Sequence, residues 1–321
     1  MTFISYAQNF EDVMLWRALG HVDQGFYIDI GAQDPVVDSV SLAFYEHGWR
    51  GVHVEPTQQY SNKLRVARPD EIVEQVAIGG CEGLMTFYEI SGTGLSTADP
   101  EIAKRHEFAG YEVNQIEVPV VSLDVLLDKY KHQPIHWLKL DVEGLEQDVL
   151  ESWQTSVCRP WLLVIESTKP LTQEQSFAAW EPLVFAKDYR YAYFDGLNRF
   201  YVHSDHIDLL ASFSTPPNIF DEFVLSGTAS QSFCQLIVSK SQQAEARAQQ
   251  AEARAQQAEA NAEQSLVNAQ QALANAQQSL ANAKQAQADA QQSEIALAAL
   301  QSSSLWRLTA PLRKLSSVIA K

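Results

Sequence analysis

The sequence predicts an α/β fold: a mostly parallel β-sheet covered by helices, ending in an antiparallel hairpin and followed by one long α-helix. Three observations carry this expectation. Across residues 1–240, short apolar runs of strand type alternate with stretches of helical spacing. The last of them, "YRYAYFDGLNRFYV", sets two aromatic-rich runs around Asp195-Gly196, the composition of a hairpin. From Ser241 to about Gln292 the chain becomes mostly Ala and Gln, without Gly, Pro or aromatics, which is a helix by propensity.

The elements follow in order. "GFYIDIGA" is an apolar run bounded by glycines, and "SVSLAFYEHG" is a helix closed by Gly48. "WRGVHVEP" is a second strand stopped by Pro56, "QQYSNKLRVA" a helix, and "EIVEQVAIGG" a third core strand. "GLMTFYEI" adds an extra strand. "VPVVSLDVLLDKY" gives a strand and then a helix whose N-cap is Ser122 or Asp124. "IHWLKLDVEG" is a fourth core strand, "LEQDVLESW" its helix and "PWLLVIEST" a fifth strand. Strand–helix repetition of this kind implies parallel strands buried on both faces.

Charge separates the chain into regions. Residues 241–321 hold 7 Lys/Arg and 6 Asp/Glu, leaving 16 basic against 34 acidic residues in 1–240. A body this acidic repels phosphates, so nucleic acid is excluded as a partner. Cys81, Cys158 and Cys234 are widely spaced, and no Cys/His cluster suggests zinc. The first residues lack the basic and apolar regions of a secretory signal, and no apolar run reaches the roughly 20 residues of a membrane span. The expected location is the cytoplasm.

The boundaries read 1–240 for the α/β domain, 241–300 for the Ala/Gln helix and 301–321 for a tail. Within the helix "AEARAQQ" repeats after seven residues, and small residues from Ala244 to Ser293, followed by Leu297 and Leu300, recur at alternating steps of four and three. Leu266, Leu273 and Leu280 flank this seam. The pattern is that of a coiled coil with close helix approach, so a homo-oligomer through 241–300 is expected; a solvated single helix is the other reading. The tail carries Arg307, Arg313, Lys314 and Lys321 and no acid, with Trp306, Leu308, Leu312, Leu315 and Ile319 near helical spacing. It is suited to docking on an anionic membrane surface, at the inner face of the membrane, or on a partner protein.

Ligands of parallel α/β sheets bind at the carboxyl ends of the strands. Those ends are Asp29-Ile30-Gly31-Ala32, Val54-Glu55, Ala77-Ile78-Gly79, Asp141-Val142-Glu143 and Glu166. Four of the five carry an acid, although Asp and Glu are depleted in strands. Gly31 lets a ligand approach the backbone, and Glu55, at the next strand end, is placed to accept ribose hydroxyls. GxGxxG is absent, and Asp34 would repel a pyrophosphate. A cationic nucleoside without phosphate, such as S-adenosylmethionine, fits better.

Together, "SYAQNFEDV", "YIDIGAQDPVVDSVSLAFYEHGWRGVHVEP", "LKLDVEGLEQDVL" and "DGLNRFYV" resemble the FkbM family of S-adenosylmethionine-dependent methyltransferases over roughly residues 3–225. The resemblance implies a Rossmann-like class I methyltransferase fold and methylation of hydroxyls, often on sugars. By position it implies that Asp29, Gly31 and Ala32 form the cofactor loop, that Glu55 binds the ribose, and that Ala77 and Ile78 sit near the adenine. Gln33-Asp34-Pro35 departs from the Asn-His common in relatives.

Methyl transfer to a hydroxyl needs a proton acceptor close by, or a cation that lowers the hydroxyl's pKa. Asp141 and Glu143 share a face in strand geometry and are the candidate catalytic pair. Asp141 with Glu166 is the candidate set for Mg²⁺. The alternatives are helix capping for Asp141 and a first-turn charge for Glu143. Lys139 is placed to pair with an acid or to steer an anionic acceptor. Asn198 and Arg199 are candidates for the acceptor cleft, whereas His53 and His136 read as packed residues. The expected function is O-methylation of a saccharide acceptor, a cell-surface polysaccharide or its precursor. The rival is a non-catalytic scaffold of a polysaccharide-assembly complex working through the coiled coil.

Overall fold

The computed structural model of the chain describes residues 2–80, 82–170, 172–304, 308 and 309. It divides into two compact units, Met1–Ser241 and Gln242–Lys321.

The first unit runs β1 (Phe3–Ser5), α1 (Glu11–Leu19), β2 (Phe26–Ile30), α2 (Leu42–Glu46), β3 (Arg50–Val54), α3 (Gln58–Ala67), β4 (Ile72–Glu74), β5 (Ala77–Ile78), β6 (Gly83–Glu89), α4 (Pro100–Phe108) and β7 (Asn114–Val121). It continues with α5 (Leu123–Tyr130), β8 (Trp137–Leu140), α6 (Glu146–Glu151), β9 (Leu162–Glu166), α7 (Glu181–Phe185), β10 (Tyr189–Phe194), β11 (Asn198–His203), β12 (Phe223–Leu225) and the start of α8 (Ser232–Ser302).

Seven strands form the main sheet, in the order β10-β11-β9-β8-β2-β3-β4. β2, β3, β4, β8 and β9 pair in parallel, and β11 is antiparallel to both β9 and β10. The chain moves outward from β2 through β3 to β4, then returns to lay β8 on the other side of β2. That reversal opens a crevice at the carboxyl ends of β2 and β8, where ligands bind in open α/β sheets. Alternating side chains supply two cores. Ile28, Ile30, Leu138, Leu140, Leu163 and Ile165 fill one face, and Tyr27, Trp137, Leu162 and Val164 the other. Every residue of β8 and β9 is buried, so these strands read as continuous apolar runs.

One expectation needs correction. "EIVEQVAIGG" is not one strand: β4 ends at Glu74, and β5 joins a separate three-stranded sheet of order β5-β7-β6. Ala77 and Ile78 therefore approach the crevice from that second sheet, not from a core strand end. The hairpin adds its two antiparallel strands at one edge of the sheet, as expected, with β11 beside β9 and β10 outermost. Its connection spans Asp195 to Leu197, with Gly196 at φ 103° and Asp195 Oδ1 accepting the Leu197 and Asn198 N–H groups. The sequence also hides β1, α1, α4, α7 and β12. Of the two capping candidates for α5, Ser122 accepts from Val125 N, while the Asp124 carboxylate holds the N–H groups of Gln154, Thr155 and Ser156.

In the second unit, every residue of α8 from Gln242 to Ser302 is exposed. Among the described residues no helix is long and apolar enough to cross a membrane. Most of the basic tail, including Trp306, Arg307 and residues 310–321, lies outside the described residues.

Candidate active site

A cavity of about 460 Å³ opens at the crevice between β2 and β8. All eight residues expected for cofactor and catalysis line it: Asp29, Gly31, Ala32 and Glu55, then Ala77 and Ile78, then Asp141 and Glu143. Glu166 is not in the cavity wall, but its carboxylate joins those of Asp141 and Glu143, with one oxygen of each within 4.8 Å of the others.

The loop after β2 is fixed by the backbone. Gly31 N and Ala32 N both donate to Val54 O, at 2.9 and 3.3 Å. Gly31 has φ 82°, and a Cβ there would lie 1.8 Å from the backbone oxygen of Asp141. Only glycine satisfies both the left-handed conformation and this close approach. Glu55 is oriented by three donors: Gln33 N at 3.1 Å, Thr57 N at 2.8 Å and Thr57 Oγ1 at 2.6 Å. Burial pushes its carboxyl above the usual range, and these donors oppose the shift. Asp29 caps no helix. Its carboxylate accepts from Ser41 Oγ at 2.8 Å, and the buried Arg68 binds the same hydroxyl.

Asp141 does not cap α6 either. The helix is held by Glu146, which accepts from Val142 N and Gly144 N and whose carboxyl burial pushes up to about 7. Asp141 is thereby left to Lys139, whose Nζ lies 2.6 Å from Asp141 Oδ2. Burial works against the Lys139 charge, but Asp141, Asp29 and Glu11 outweigh it and hold the ammonium protonated. Glu143 and Gly144 both have positive φ, 51° and 99°, and so reverse the chain immediately after β8. A positive φ at a non-glycine residue is strained, and here it turns Glu143 back toward Asp141. Burial, then the Asp141 charge, drives the carboxyls of Glu143 and Glu166 well above their ordinary value.

Residues 29–191 match the family described as the methyltransferase FkbM domain, about half of the chain. The chain belongs to the FkbM methyltransferase family. It is an S-adenosylmethionine-dependent methyltransferase. No curated protein matches it.

Some acceptor-side expectations for this methyltransferase change with the structure. Arg199 is not in the cavity wall; it stacks over Phe177 at 3.2 Å and pairs with Glu181 at 3.0 Å. Asn198 is buried, and its Nδ2 donates to Glu11 Oε1 at 2.8 Å and Asp195 Oδ2 at 3.1 Å. His53 pairs with Glu71, and His136 packs beside β2 through the Phe26 backbone. Gln8 and Glu11 also line the cavity, and the sequence reading assigned them no role. Glu11 follows Phe10, a bulky residue at φ 65°. Burial, then the nearby Asp195 charge, pushes the Glu11 carboxyl up to about 8. Its only local signal is that of an acid opening a helix, which says nothing about a cavity.

Proposed function

We propose that this methyltransferase transfers the methyl group of S-adenosylmethionine to a hydroxyl of a saccharide, a cell-surface polysaccharide or its precursor. The observation that carries this reading is the contact between Gly31 and the Asp141 backbone. It brings the cofactor loop and a carboxylate to one rim of the sheet, so donor and acceptor meet there. In this reading Glu55 accepts the ribose hydroxyls, Ala77 and Ile78 form apolar wall near the adenine, and Asp29, Gly31 and Ala32 frame the methionine end. The acceptor oxygen attacks the sulfonium methyl, the carbon–sulfur bond breaks and its electron pair stays on sulfur. The hydroxyl proton passes to Asp141, with Glu143 beside it. Alignment of the two reactants supplies much of the acceleration, and the carboxylate a further portion. Mg²⁺ on Asp141 and Glu166 is the second route to the same deprotonation.

The helix of residues 241–300 is proposed to associate with a second copy. Leu266, Leu273 and Leu280 stand seven residues apart, each more than half exposed. The basic tail would then hold the enzyme beside an anionic surface or a polysaccharide-assembly partner at the cytoplasmic side of the membrane.

Calorimetry with S-adenosylmethionine should give one site per chain, and surface glycans of a strain lacking the protein should lose a methyl ether by mass spectrometry. Binding without loss of any glycan methyl would remove the saccharide assignment. A chain that fails to bind the cofactor would favour the scaffold reading.

A further inference from the structure

The carboxylates at the ends of β8 and β9 are an unusual group. Among the described residues of the cavity wall, Lys139 is the only cation, against Glu11, Asp29, Asp38, Glu55, Asp141 and Glu143. Lys139 lies at hydrogen-bond distance from Asp141 alone among the trio of Asp141, Glu143 and Glu166. If all three carboxylates are ionised, the one ammonium leaves two negative charges beside the buried Glu166, where uncompensated charge is costly.

A second observation points to what compensates them. Glu166 is 8 % exposed, and its Oε2 has no hydrogen-bond partner. Asn198 is 1 % exposed, and its Oδ1 is likewise unpartnered, while its Nδ2 donates to Glu11 and Asp195. These two residues are direct register partners across β9 and β11, so their side chains leave the same face of the sheet. Buried polar groups are nearly always satisfied, and two oxygen acceptors on paired residues with no protein donor are suited to a cation. The 4.8 Å limit on the carboxylate oxygens is close to the largest ligand–ligand distance around one ion, about 4 Å for Mg²⁺ and about 5 Å for Ca²⁺.

We infer that Asp141, Glu143 and Glu166 bind one divalent cation, with Asn198 Oδ1 as a further donor. The donors are all oxygen, which selects Mg²⁺, Mn²⁺ or Ca²⁺ over zinc. The inference deepens the hydroxyl-methylation reading and rests on it for its role: the cation is the group that receives acceptor oxygens. A bound hydroxyl would lose its proton more readily, and the carboxylates would act as ligands as well as proton acceptors.

The test is direct binding, measured on the chelator-treated full chain with Mn²⁺ as a paramagnetic probe and Mg²⁺ as competitor. One saturable Mn²⁺ site, displaced by Mg²⁺ and weakened at least about tenfold in Glu166→Gln, is the expected result. The amide keeps the size of the side chain and can still donate to Asp141; if it fails to fold, Glu143→Gln provides the same reading. Absence of saturable Mn²⁺ binding, or equal binding by the variant, overturns the site and leaves a proton shared between Glu166 and Asp141. Cofactor calorimetry run in parallel separates the two failures. Cofactor binding without metal binding sinks the cation site alone. Loss of cofactor binding sinks the functional reading whatever Mn²⁺ does.

Discussion

The seven-stranded sheet and the Ala/Gln helix are built by opposite means. In the sheet, every residue of β8 and β9 is buried, and partners lie far apart in sequence, as with Asp29 and Lys139 or Glu166 and Asn198. In the helix, residues 242–302 are all exposed and the polar contacts are local. Gln257–Asn261, Gln264–Asn268, Gln271–Asn275 and Gln278–Asn282 repeat one i,i+4 hydrogen bond every seven residues, and Gln285–Asp289 continues the series. The difference teaches where a single substitution will be felt. A site assembled from distant strands fails when one contact is disturbed. A helix made of repeated local bonds loses one small increment at a time.

The largest expected effect is at Gly31. Gly31→Ala places a methyl group on the Asp141 carbonyl at positive φ, so cofactor binding by calorimetry should be lost and the body destabilised by about 3 kcal/mol. A variant that binds normally would mean the two strand ends separate without cost. Next comes Asp141→Asn, which keeps the shape but removes the charge. Methyl transfer should fall at least about a hundredfold in a radiolabel assay, with cofactor affinity retained. Full activity would make Asp141 a structural partner of Lys139.

A smaller effect is expected from pH at Asp12. Burial raises its carboxyl to about 6 from 3.8, against donors from Ser5, Tyr6, Ala7 and Val13. The folded state therefore holds a proton that the unfolded chain releases. The resulting stability is fully present below about pH 3.8 and is lost as pH rises through about 6. Thermal melts of the wild type against Asp12→Asn across this window should show the wild type losing stability with rising pH relative to the variant. In the helix, Leu273→Lys should lower the solution mass to that of a single chain if a second copy covers the leucine row; an unchanged mass defeats self-association. The smallest effect is Gln271→Ala. Loss of one pair at about 0.2–0.5 kcal/mol is offset by alanine's better propensity, so helicity by circular dichroism should barely change.

Much of this was legible in one dimension. β2, β3, β8 and β9 announced themselves as apolar runs, and the acids at their ends stood out because strands seldom carry them. The helix was legible because its contacts are local. What was missed has local causes too. α4 opens with Asp99-Pro100, and the Asp99 side chain accepts from Glu101 N and Ile102 N, a start signal that the sequence does carry. For β5, "EIVEQVAIGG" gives no sign that the chain changes sheets between Glu74 and Ala77.

By itself the sequence determined the alternation of elements, the glycine at the end of β2 and the acids at the strand ends, because burial periodicity and turn chemistry are written residue by residue. Tertiary structure alone decided that Asp141 serves Lys139 while Glu146 serves the helix, that Arg199 stays out of the cavity wall, and that Glu11 joins it. It also decided that Glu166 and Asn198 pair in register, each with one buried oxygen that has no protein donor. Those outcomes depend on strand order and register between segments tens of residues apart, and local patterning carries no information about which distant strand will lie alongside.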